Sequence, residues 1–90
     1  MKIEIHFQDI REVVEAPDAA GALHQVKQEA ARRAPFLMRG VINSMGDLAF
    51  AAEAVKRANK ESGRQDPLPA SAQAFLDWAV ERGYATIVEP

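Results

Sequence analysis

Ninety residues, 48% apolar and 27% charged, describe a single globular domain, 1–90, rather than a disordered chain. Area scaling gives about 5,200 Å² of folded surface at this mass, which allows one modest core and no second domain. With no cysteine, disulfides and thiolate zinc sites are excluded; charges interrupt the apolar residues of Met-Lys-Ile-Glu-Ile-His, unlike a signal peptide, and no run approaches the roughly 18 apolar residues of a membrane span.

The net charge of −2 is divided along the chain. Residues 1–26 carry two basic and five acidic side chains, residues 27–64 eight basic and four acidic, and residues 65–90 one basic and four acidic. A basic middle between acidic ends either attracts an anionic partner or is neutralised across the folded surface.

Lys2 to Phe7 alternates, with Ile3, Ile5 and Phe7 on one face and Lys2, Glu4 and His6 on the other. That period predicts a half-buried strand. Ile10 to Ala16 is the second strand. A two-residue loop at Gln8-Asp9 pairs Phe7 with Ile10, Ile5 with Glu12 and Ile3 with Val14, while Lys2 meets Glu15 and His6 meets Arg11. A slip of one residue would turn Ile10 and Val14 to the polar face. A four-residue loop keeps the same parity, and Glu12 on the apolar side sits badly in either.

Pro17 ends the strand, and Asp18 is placed to cap a helix over Ala19 to Ala34 with Ala19, Leu23, Val26, Ala30 and Ala34 inward and Ala22 alongside. Arg32 and Arg33 close it with the charge that suits a helix C-terminus. Pro35 breaks the chain or opens a new helix. Phe36 to Asn43 has no clean period; a short helix is the expectation, a buried extended segment the alternative. Ser44 and Asp47 have capping-box spacing, so the helix breaks near Asn43 to Ser44.

Met45 to Glu61 reads as the helix the fold is built around. Met45, Leu48, Ala52 and Val55 form one stripe, Phe50 and Ala54 point away from it, and alanines fill much of the rest. Such a helix needs cover from two directions, by this chain or by a second copy. Ser62 to Pro69 is a linker. The last helix runs from Pro69 or Ala70 to Arg82, with Ala72, Phe75, Leu76 and Ala79 inward, Trp78 at the margin and Gly83 as a left-handed stop. Tyr84 to Val88 is a strand returning to the N-terminal sheet.

No catalytic, metal or cofactor signature emerges. His6 and His24 lie in different elements without a partner at metal spacing, and none of Ser44, Ser62 and Ser71 sits in a nucleophile elbow. Lys56, Arg57, Lys60 and Arg64 cluster around a helix end, as phosphate contacts require, although such cations also serve the helix dipole. Phe-Leu-Asp-Trp-Ala-Val-Glu-Arg-Gly-Tyr-Ala-Thr-Ile, Phe75 to Ile87, locally resembles the recognition helix and first wing strand of a winged-helix domain. That resemblance implies nucleic-acid binding, while the outward Gln73, Asp77 and Glu81 bring negative charge where phosphates would lie. Phe50 and Trp78 are either covered within the monomer or are aromatic anchors for a partner.

The expected fold is α+β, in the order β-β-α-(α)-α-α-β: an N-terminal hairpin and a C-terminal strand forming a small sheet against three or four helices. The expected function is a small, cytoplasmic, non-catalytic protein-binding or regulatory module of bacterial style, without a cofactor, its partner another protein or a second copy of itself. Its first contact residues are Phe50, Arg57 and Trp78. A nucleic-acid-binding protein using Lys56, Arg57, Lys60 and Arg64 is the alternative, and a small enzyme the second.

Overall fold

The computed structural model describes residues 1–7 and 10–89. Its elements are β1 (Lys2–Phe7), β2 (Ile10–Glu15), α1 (Ala19–Arg33), α2 (Phe36–Ser44), α3 (Asp47–Ser62), α4 (Ala72–Glu81) and β3 (Ala85–Glu89). The sheet is antiparallel in the order β2-β1-β3, so the fold is α+β with the first strand at the centre.

The β1–β2 register follows the alternation of apolar and polar residues. Ile3 meets Val14, Ile5 meets Glu12 and Phe7 meets Ile10, while Lys2 meets Glu15 and His6 meets Arg11. The turn expected at Gln8-Asp9 lies outside the described residues. Glu12 is accommodated because the guanidinium of Arg33, at the end of α1, donates to its carboxylate. On the other edge Ile3 meets Ile87 and Ile5 meets Ala85, with an irregularity between Lys2 and Ile3. β3 therefore lies against β1.

Ile3, Ile5, Val14 and Ala85 bury one sheet face under α1 and α4. α1 begins where the Asp18 carboxylate accepts the Gly21 N–H at 2.8 Å. It buries Ala22, Leu23, Val26, Lys27 and Ala31, a stripe displaced from the expected one, with Ala30 and Ala34 at its margin. α4 starts at Ala72, two or three residues later than expected. Its cap is the Ser71 hydroxyl, 3.1 Å from the Ala74 N–H, and Gly83 ends it at φ 79°.

Two expectations about the middle of the chain are corrected. Ser44 caps nothing: it is the last residue of α2, its hydroxyl donates to the Val41 carbonyl, and Gly46 stands at the start of α3. The inward stripe of α3 is Ala51, Val55 and Ala58, whereas Leu48 is exposed and Met45 and Ala52 are half-buried. Small side chains at Ala51 and Ala58 allow α3 to approach α1 and α4 closely, and an apolar helix with many alanines has no single inward face to read from spacing. α3 is nonetheless apolar on two sides, since half-buried Phe50 and Ala54 also pack against the core.

α2 is the exception to ordinary packing. It is a helix, as expected, but it has no buried residue. Phe36 and Leu37 are 83% and 84% exposed. The helix rests mainly on α1, where Arg39 donates to the carbonyls of Ala31 and Arg32. Its far end is tied to α1 by Lys27, whose ammonium donates to the Met45 carbonyl and lies 3.4 Å from Asp47.

Candidate functional site

α2 and its C-cap carry Met38, Val41, Ile42 and Met45 at the i, i+3, i+4, i+7 spacing of an amphipathic helix. In a packed domain such a stripe would press on the core. Here it forms one wall of a cleft of about 670 Å³. Phe50 and Ala54 of α3, Ala30 of α1 and its C-cap Ala34 also line it, and its floor is Ile5, Val26, Phe75 and Ala79, all of them buried. Phe36 and Leu37 lie outside this lining.

An aromatic wall closes one side. Phe7 meets Tyr84 edge-on at 5.0 Å, Tyr84 lies 5.2 Å from Trp78, and Trp78 stacks on Phe75 at 5.7 Å. Trp78 is held from behind by the linker. Its indole N–H donates to the Asp66 carboxylate at 2.9 Å, and Arg82 donates to the same carboxylate through Nε at 2.9 Å and Nη2 at 2.5 Å. The backbone of Asp66 is fixed in turn by the Asn59 amide, which donates to its carbonyl and accepts its N–H. Hydrogen bonds from Arg82 and then Trp78 hold the Asp66 carboxyl below the usual carboxylate range, and the bond to Asp66 in turn raises the Arg82 guanidinium.

The mouth is cationic. Arg33, Lys56, Arg57 and Lys60 line it together with Glu53. Arg33 is engaged with Glu12 and Glu29, and Lys56 sits 3.3 Å from Glu53. Arg57 and Lys60 make no ion pair among the described residues.

The cleft thus brings together Phe50, Arg57 and Trp78 from two helices. Of the four clustered cations, Lys56, Arg57 and Lys60 share it and Arg64, beyond the α3 stop at Gly63, does not. The histidines lie apart from it. His6 is 3.0 Å from Glu4, and His24 lies 3.1 Å from the Asp47 carboxylate. The His24 hydrogen bond, opposed by partial desolvation and aided by Lys27, lowers the Asp47 carboxyl. Among the described residues no group of three His, Cys, Asp or Glu side chains is placed to hold a metal ion, and no helix is long and apolar enough to cross a membrane.

The α2 wall and the Asp66 anchor are the parts of the site not singled out from the sequence. The spacing of Met38, Val41, Ile42 and Met45 was the available signal for the first. Asp66 gave none, because its side-chain partners are 12 and 16 residues away. Comparison with known protein families, characterised proteins and solved structures finds no match to this chain.

Proposed function

We propose that this chain is a small, non-catalytic protein-binding module that works as a weak homodimer through the outward face of α2. The observation that carries the reading is the exposure of Phe36 and Leu37 on a helix with no buried residue. Together they bare on the order of 300 Å² of apolar surface, comparable with the largest patch on many monomers. The face suits a second copy because it presents no opposing charge. Arg39 is the only charged residue of α2, and its guanidinium is turned to the carbonyls of α1. Gly40, one turn from Phe36, has open space where a Cβ would stand, so two such helices can approach closely across a two-fold axis.

Covering both copies' Phe36 and Leu37 returns roughly 15 kcal/mol at 25 cal/mol per Å². Association itself costs roughly 4–15 kcal/mol, and about 600 Å² of covered surface is well below the roughly 1,200–2,000 Å² of a stable interface, so the dimer is weak and dependent on concentration. A cytoplasmic setting belongs to the same proposal, supported by the absence of cysteine. The nucleic-acid reading draws less support, since Lys56 is paired with Glu53 and Arg64 lies near the Asp66 carboxylate, outside the cleft lining.

Light scattering over a micromolar to millimolar series tests the proposal. The wild type should move from monomer toward dimer, and Phe36→Ser/Leu37→Ser should remain monomeric with an unchanged circular dichroism spectrum. A wild type that stays monomeric at every concentration would refute it.

A further inference from the structure

We propose that the cleft beneath α2 binds a long-chain carboxylate, the alkyl chain lying on the apolar floor and the head group at Arg57 and Lys60. This goes beyond self-association, which uses Phe36 and Leu37, residues outside the cleft lining.

Size and polarity select the occupant. Ligand cavities run from roughly 300 to 1,000 Å³, and this one is about 670 Å³. A helix about 10 Å across would fill that space in under two turns, so a docking helix does not fit within it. An extended peptide would carry backbone N–H and C=O groups into a floor made of Ile5, Val26, Phe75 and Ala79, where they would find no partners. The one indole N–H in the wall is already given to Asp66. An alkyl chain needs no hydrogen bond and gains from each methylene removed from water, at about 0.8 kcal/mol.

Charge selects the head group. Arg57 and Lys60 are three residues apart on one helical face, and neither makes an ion pair among the described residues. A guanidinium matches both oxygens of a carboxylate. Glu53 on the same rim weighs against a dianion such as an alkyl phosphate.

Trp78, the only tryptophan, stands in the cleft wall and reports on occupancy. Dodecanoate, kept below its micelle concentration, should change its fluorescence saturably with one-to-one stoichiometry, and calorimetry should give the same affinity. Arg57→Gln/Lys60→Gln should weaken dodecanoate by about tenfold or more while leaving the neutral dodecanol unaffected. Dodecanol and dodecyl phosphate should both bind the wild type less tightly than dodecanoate. The Phe36→Ser/Leu37→Ser variant should bind dodecanoate as the wild type does, so that failure of self-association and failure of this site are told apart. No saturable signal by either method, dodecanol equal to dodecanoate, acetate equal to dodecanoate, or tighter binding of dodecyl phosphate would overturn the assignment.

Discussion

α2 and α4 are nearly equal in length, nine and ten residues, and both are rich in large apolar side chains. α4 buries Phe75, Leu76 and Ala79 between α1, α3 and the sheet. α2 leans on α1 and buries nothing. Hydrophobicity makes each helix seek cover, but it does not decide where the cover comes from. For α4 the cover is the rest of the chain. For α2 we propose that it comes from outside, a second copy covering Phe36 and Leu37 and a ligand filling the cleft.

Truncation breaks the symmetry between the two helices most strongly. Leu76→Ala removes a fully enclosed side chain and should cost about 2–5 kcal/mol in urea unfolding. Leu37→Ala, measured on dilute monomer, should fall within about 0.5 kcal/mol of the wild type. Equal losses at the two positions would mean that α2 is packed in solution.

The polar anchors sharpen the same contrast. Asp66→Asn should destabilise the α4 side and loosen Trp78, read as a lower melting temperature and a red-shifted indole emission at neutral pH. The Asp66 carboxyl is depressed in the folded state, so its contribution is present above the ordinary carboxylate range and is lost as pH falls through the depressed value. The melting temperatures of Asp66→Asn and wild type should therefore converge on acidification below about pH 4. A gap that persists through that window would show that the charge is not what matters.

Caps supply a smaller effect. Ser71→Ala should cost about 1 kcal/mol, because its hydroxyl satisfies a first-turn N–H of α4. Ser44→Ala, whose hydroxyl only bonds back to Val41, should cost within about 0.5 kcal/mol. Reversal of that order would restore Ser44 as a cap.

What could be read in advance followed from local periodicity. The hairpin register was legible because a one-residue slip would have exposed Val14, and Gly83 was legible as a helix stop because the left-handed conformation favours glycine. The α3 face was not legible, because Ala49, Ala51, Ala52, Ala54 and Ala58 surround the helix and mask its periodicity. Nor was Lys27 as a buried group, since its partners at Met45 and Asp47 depend on how α2 turns into α3. Phe50, Arg57 and Trp78 were singled out one by one, as aromatics off a stripe and as part of a basic cluster. That they share one cleft depends on the packing of α3 against α4, which spacing within either helix does not encode.

Hydrogen exchange of the α2 amides as a function of protein concentration tests most directly whether this helix awaits a cover. The account predicts rapid exchange in α2 at low concentration, marked slowing as the concentration rises, and α4 amides protected throughout. Amides of α2 that are as protected as those of α4 in the most dilute sample would contradict it.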